Sequence, residues 1–411
     1  MSPGGWPPGP TNGDMAQDSM TSPGERATAL RFIVCLGIVS LFADMTYEGA
    51  HSIIGPFLKD LGASAAAVGF IAGLGELIAA GLRFFSGRLA DRTRAYWGIT
   101  IFGYFLNVVV VPAMAFAGNW QTAALLVVAE RTGKGLRGPA RDVLLSEATS
   151  KIGHGWGFGI HAAMDQTGAV LGPLMMAAAV MRLQHFGPAF LRLAFPAAGA
   201  LLALLVARFV YPKAGSTAPR QLQQQVLPRV FWSYVAAAGV LALGFVDFPL
   251  LAYHFQKTAV AQPAAIPLLF AGAMGVNGLA ALILGKLFDR FGIQILSFGI
   301  LVSLLSLPLG FLGGPAAAVA GVACWAIGMG AQDASLRAGI AQVVSMNKRG
   351  SAFGAFNGVY GVMWFLGSAT MGLLYDRSVM ALVVFGVVAQ LVAAVLFFRL
   401  RAPLAEAAAA A

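Results

Sequence analysis

Twelve long apolar stretches follow one another along the chain, and each is long enough to need a helix that satisfies its own backbone across a bilayer. They cover 29–54, 64–86, 96–117, 120–142, 157–181, 188–209, 230–254, 264–285, 293–313, 315–341, 353–375 and 379–399. A transmembrane barrel would show segments of about ten residues with alternating polarity, and these runs are twice as long with no period of two. Only 11% of residues are charged, against about 25% in soluble domains. A soluble globule is excluded, and the sequence predicts an all-α integral membrane protein of twelve transmembrane helices.

The 51 glycines and 20 prolines lie mostly inside the apolar runs, where they serve close packing and kinks. Cys35 and Cys324 both fall in mid-span, which speaks against a disulfide framework or a cysteine metal site. The net charge of +10 comes from basic residues scattered between spans, without a run of five, so no nucleic acid is expected as a partner.

Those residues set the topology. Assigning the tails and the even-to-odd loops to one side collects 18 Lys and Arg there and leaves 5 on the other. The positive-inside rule then predicts a multi-pass protein of the cell (inner) membrane with both termini in the cytoplasm.

The longest polar interruption, Tyr211 to Arg229, divides the chain, and the two parts repeat each other. Phe42-Ala43-Asp44 matches Phe245-Val246-Asp247 at an offset of 203, and Gly87-Arg88-Leu89-Ala90-Asp91-Arg92 matches Gly285-Lys286-Leu287-Phe288-Asp289-Arg290 at 198. Phe158-Gly159 matches Phe353-Gly354 at 195. Three matches in one order predict a six-plus-six duplication. The expected organisation is a disordered cytoplasmic tail over 1–27, a six-helix bundle over 28–210, a cytoplasmic linker over 211–228, a second six-helix bundle over 229–400 and a tail over 401–411.

With GRLADR after the second span and GKLFDR after the eighth, this arrangement resembles the major facilitator superfamily of secondary transporters over about residues 28 to 400. Arg131-Thr132-Gly133-Lys134-Gly135 is similar to that family's R-x-x-Q-G motif, with Lys in the Gln place. Gly168-Ala169-Val170-Leu171-Gly172-Pro173 resembles its G-x-x-x-G-P antiporter motif. The resemblance implies two pseudo-symmetric bundles around a central cavity, with the first and seventh helices lining it. It departs in the first loop motif, where Arg94, Ala95 and Tyr96 replace the usual basic end, and the second copy lacks the basic pair. A GKG-R-PARD stretch in the fourth span resembles a bacterial group within the superfamily.

An ionisable side chain at the bilayer centre costs at least about 2.5 to 3.5 kcal/mol, so each must face a partner or an aqueous cavity. Asp44 and Glu48, at i and i+4, share a helix face as a candidate proton carrier. The competing reading pairs Asp44 with Arg131 as a link between helices. Glu76, Asp165 and Asp247 complete the proton-coupling candidates, Glu76 having no partner in its own helix. The spacing from Asp44 to His51 recurs from Asp247 to His254, so both histidines are candidates for proton transfer or substrate binding, or else cap helix ends.

Arg131, Lys134, Arg137 and Arg141 form one stripe on the fourth span. Arg131 and Lys134 are expected to face substrate, while Arg137 and Arg141 are expected to be structural, paired to Asp91 as a latch. Asp333 and Arg337 are expected to neutralise each other. The gating candidates are Gly87, Asp91, Arg92 and Arg141, the second copy Gly285, Asp289 and Arg290, and Gly168, Gly172 and Pro173. In the G-x-x-x-D-R pattern Gly allows close approach, and the Asp, expected in a loop, interacts with a helix N-terminus or an Arg. Gly372 to Arg377 repeats that pattern on the other side, as a latch for the opposite face.

These features predict a secondary transporter that exchanges protons for a small organic solute by alternating access, in efflux. Uptake of an organic anion with protons is the alternative, and a receptor or scaffold without transport is a third. No phosphate-binding loop, activated nucleophile or metal spacing points to an enzyme or a cofactor. The expected partners are a small-molecule substrate, protons and the lipid bilayer.

Overall fold

The structure is a computed structural model that describes residues 23–212, 227–344 and 349–410. Among these residues there is no strand. The chain runs α1 (Pro23–Asp60), α2 (Ala65–Thr93), α3 (Tyr96–Ala113), α4 (Trp120–Thr149) and α5 (His154–Leu183). The sixth span is a short α6 (Phe186–Ala189), a 3-10 turn (Phe190–Leu193) and α7 (Ala194–Val210). The second half comprises α8 (Arg229–Gly244), α9 (Phe248–Lys257), α10 (Ala265–Phe291), α11 (Gln294–Ser303), α12 (Ser306–Leu312), α13 (Pro315–Val343), α14 (Arg349–Arg377) and α15 (Val379–Ala410). Pairs α8–α9 and α11–α12 each make one span.

Local chemistry sets several boundaries. The Ser64 hydroxyl accepts from Ala67 N at 3.2 Å and the Asn119 amide oxygen from Thr122 N at 2.8 Å, capping α2 and α4. Gly153, at φ 98°, makes the sharp entry into α5.

Among the described residues eleven spans have the length and hydropathy to cross a membrane, and α4 is the twelfth. At 30 residues it reaches about 45 Å, yet its charged residues make it far more polar than the other spans. Its burial among α2, α3 and α1 resolves the conflict, since Glu130, Arg131 and Arg137 are all buried.

The helices outrun the apolar stretches at both ends. Pro23 to Ala27, expected in a disordered tail, begin α1, and Arg401 to Ala410 continue α15. The GRLADR and GKLFDR segments, expected as loops, are the last turns of α2 and α10. The apolar pattern ends at the bilayer edge, whereas helical hydrogen bonding does not need to. The rest of the expected N-terminal tail and most of the expected linker, residues 1–22 and 213–226, lie outside the described residues.

Two six-helix bundles meet where α2 lies along α14, α5 along α10, and α1 against α9. The buried core divides unevenly. On the side away from the termini one apolar cluster runs through both halves, from Ile53 and Val68 to Phe248 and Met371. Toward the termini each half keeps its own cluster, one around Phe32 and Tyr104 and one around Tyr234 and Phe397. The halves are thus joined at one end, and a cavity lies between them on the terminal side of that joint.

Candidate functional site

Span seven breaks at Phe245, Val246 and Asp247, and the break positions the site. Asp247 has extended backbone, φ −73° and ψ 141°, and Pro249 follows in the first turn of α9. The freed backbone oxygens find side-chain donors: Gln390 Nε2 gives to Gly244 O at 2.9 Å, and the Trp325 indole N–H gives to Val246 O at 2.8 Å. The Asp247 carboxylate accepts from the Trp364 indole N–H at 2.7 Å and from the Ser368 hydroxyl.

The cavity, about 400 Å³, is lined by both halves. The first half contributes mostly charge, with Asp44, Glu48, His51, Glu76, Arg131, Lys134 and Asp165 on its wall. The second contributes aromatic and amide groups, among them Phe248, Phe270, Asn277, Trp325, Gln332 and Trp364, together with Asp247 and Asp333. All five proton-coupling candidates line the cavity, and so do Arg131, Lys134 and His51. His254 does not. It packs against Phe311, and its Nδ1 is 2.9 Å from the Tyr375 hydroxyl, in the apolar joint.

Arg131 is the hub of the charged wall. Its Nη1 is 3.1 Å from Glu76 Oε1, its Nε 3.2 Å from Glu130 Oε2, and its Nη2 2.9 Å from His51 Nδ1. Glu130 is held further by Asn107, whose amide gives to its carboxylate at 2.7 Å. Arg131 therefore does not bridge to Asp44, contrary to the reading that paired them. Among the described residues Asp44 has no ion-pair partner, and its charged surroundings are Asp165, Arg137 and Glu48. Lys134 Nζ stands 3.9 Å from Glu48 Oε1 and 4.1 Å from the Tyr47 ring centre.

Arg137 and Arg141 lie off the cavity and leave Asp91 alone. Arg137 sits 4.2 Å from the Tyr104 ring centre, and its Nε and Nη1 lack hydrogen-bond partners. Arg141 holds its neighbour Asp142 at 2.8 Å. Asp91 instead accepts from the Tyr96 hydroxyl at 3.2 Å, so the expected Arg–Asp91 latch is absent from this state. Asp333 accepts from Asn277 at 3.1 Å and makes no ion pair with Arg337. A polar thread leads from Asp165 through His161, 3.9 Å away, to Ser40 at 3.0 Å from the imidazole.

The glycine motifs divide by geometry. A side chain at Gly168 or Gly172 would overlap the Leu41 or Met45 backbone oxygen, so these two let α5 lie directly on α1. At Gly87 and Gly285 the nearest atoms would be 3.5 and 3.6 Å from an added Cβ, an ordinary contact, and the expected close approach is missing there. The third copy meets it. Gly372 packs on Ala66 and Gly69, and the Asp376 carboxylate accepts from Ala65 N at 3.2 Å and Ala66 N at 2.8 Å, at the N-terminus of α2. Nearby, Gln256 gives to Asp60 at 2.6 Å across the halves. Asp289 and Arg290, like Asp91 and Arg92, are exposed.

Sequence reasoning missed the uncharged wall. Trp325, Trp364, Tyr360, Gln332 and Asn277 sit in apolar helices where nothing contrasts with them, although Pro249 signals the break. Gln166 also went unnoticed, and it reaches across to Met274 O at 2.5 Å.

Comparison with known proteins agrees with this architecture. The family model described as Major Facilitator Superfamily matches residues 36–368. An uncharacterized protein of Mycobacterium tuberculosis (strain H37Rv) is 39% identical over 401 residues, covering 95% of this chain and 98% of its own. An uncharacterized MFS-type transporter of Methanocaldococcus jannaschii is 24% identical over 360 residues, 84% of this chain and 89% of its own. Among solved structures, the nucleoside transporter NupG superimposes with a TM-score of 0.70 at 14% identity, over 90% of this chain and 98% of that one. A bacterial homologue of the iron transporter ferroportin in an inward-facing state gives 0.65 at 14% identity, over 90% and 98%. With a family model spanning most of its helical body and a fold shared with solved transporters, the chain belongs to the major facilitator superfamily.

Proposed function

We propose that this multi-pass membrane transporter exchanges protons for a small organic solute, exporting the solute across the inner membrane with both termini in the cytoplasm. The observation that carries this reading is the pair Asp44 and Asp165, two carboxylates on the wall of a cavity between the halves, without a Lys or Arg ion-pair partner among the described residues. Unpaired carboxylates are costly to seal inside a membrane. Binding a proton removes that cost and lets the loaded chamber close and reopen on the other face. Binding solute does the same on the return, so the two exchange rather than travel together.

Glu48 and Glu76 belong to the same carrier, each restrained by a base: Lys134 for Glu48 and Arg131 for Glu76. Asp376 on the N-terminus of α2 latches the face away from the termini. When the terminal face closes, Asp91, Arg92, Asp289 and Arg290 take up the equivalent role, with Gly87 and Gly285 at the seam. Gly168, Gly172 and Pro173 let α5 slide on α1, and their likeness to an antiporter motif favours export. The alternative, uptake of an organic anion on Arg131, loses support because that guanidinium already serves three acceptors.

The test is proteoliposomes holding a pH-sensitive dye, screened with small organic solutes under an imposed pH gradient. Solute-dependent proton movement in the opposite direction supports the reading. Solute movement that ignores the gradient removes it.

A further inference from the structure

We infer that the solute is an organic cation with an aromatic or apolar body, its charge set against Asp247 and its body on the wall of the second half; this names the substrate class of the transport reading above and rests on it. Charge balance comes first. Six carboxylates line the cavity against four Lys and Arg side chains, and one of those four, Arg131, is held by three acceptors. An anion entering this space meets a surplus of its own sign, whereas a cation relieves it.

Asp247 is the acid placed to receive that charge. It stands at the break in span seven with no ion-pair partner among the described residues, and it accepts the hydrogen bonds of Trp364 and Ser368 at its carboxylate. Two donors leave further lone pairs for a cation. Around it the rings are fixed rather than loose. Both Trp325 and Trp364 have their indole N–H tied, to Val246 O and to Asp247. Phe248 lies 4.4 Å from Phe270 and 5.8 Å from Trp325 between ring centres, and Tyr360 lies 5.6 Å from Trp364. Aromatic faces beside a carboxylate are the recognised means of holding an organic ammonium in a desolvated site. The cavity volume, about 400 Å³, suits a small molecule of this kind.

The contrary feature is the pair Arg83 and Arg337, which line the cavity and have no ion-pair partner among the described residues. Arg337 is twelve residues beyond Trp325 on α13, about 18 Å along the helix, which puts it at the terminal end and away from Trp325.

The test is equilibrium binding to the full chain in nanodiscs at one pH, with no gradient. The probes are benzyltrimethylammonium, its neutral isostere neopentylbenzene, and benzenesulfonate. The ammonium is expected to bind at least about tenfold more tightly than the neutral compound, and Asp247→Asn to erase that preference. Should Asp247→Asn fail to fold, Phe270→Ala is expected to weaken the ammonium about tenfold, since it removes a ring face of the cavity and no hydrogen bond at the break. Equal binding of the ammonium and its isostere, tightest binding of the sulfonate, or an unchanged preference in Asp247→Asn overturns the proposal. Proton movement is read separately in proteoliposomes. Ammonium binding without proton movement removes the coupling reading alone, and proton movement driven by the sulfonate removes the cation alone.

Discussion

Arg131 on α4 and His51 on α1 meet with the guanidinium Nη2 2.9 Å from the imidazole Nδ1. Arginine has donors only, so His51 receives this bond through a bare nitrogen and carries its own proton on Nε2. Since Arg131 also holds Glu76 of α2 and its neighbour Glu130, one side chain ties three helices together on the charged wall.

Arg131→Ala is therefore predicted to act on stability before it acts on binding. Removing one member of a buried charge cluster costs about 3–5 kcal/mol, because the buried Glu130 loses its cation. A marked fall in the unfolding temperature of purified protein checks this. Near-normal stability with weakened solute binding would return Arg131 to the role of a substrate ligand.

Asp44→Asn and Glu48→Gln are predicted to leave folded protein and abolish pH-driven transport. Neither side chain holds helices together through a short ion pair, as Glu48 meets Lys134 only at 3.9 Å. Size-exclusion profiles measure the first outcome and dye-reported proton flux the second. Unchanged proton dependence in both variants would take α1 out of coupling.

The four motif glycines are predicted to part company on substitution. Gly168→Val and Gly172→Val drive a branched side chain into backbone oxygens of α1 and should lose folded protein. Gly87→Ala and Gly285→Ala meet only ordinary contacts and should keep it, or gain up to about 1 kcal/mol of helix stability. Fluorescence-detected chromatography of the four variants separates the two classes.

Asp376→Ala should loosen the face away from the termini. Two backbone donors at the start of α2 lose their acceptor, a loss comparable to a helix cap at about 0.5–2 kcal/mol. The population open on that face should rise several-fold. Spin labels at Leu61→Cys and Lys257→Cys, flanking the Asp60–Gln256 contact, would report it as a longer distance component.

The span count and the doubling of the chain were legible because bilayer helices announce themselves by length and polarity. Helix phase also placed Asp44, Glu48, Arg131 and Lys134 toward one interior. Phase gives a face and not a neighbour, and that is where the reading failed. Arg131 took Glu76 rather than Asp44, Arg141 took Asp142 rather than Asp91, and His254 went into the apolar joint. The repeat between Asp44 and Asp247 also hid a difference, since the first lies in continuous helix and the second at a break. Side chains such as Trp325 and Gln390 that satisfy this break leave no mark in hydropathy.

The central claim is that the acids surround a chamber reached from each face in turn. Ala169 lines that chamber, so Ala169→Cys in a chain with Cys35→Ser and Cys324→Ser reports access directly. With a membrane-impermeant thiol reagent, the account predicts reaction from the terminal side and, once Asp376→Ala is added, from the opposite side as well. Reaction from neither side, or from one side alone in both chains, would contradict it.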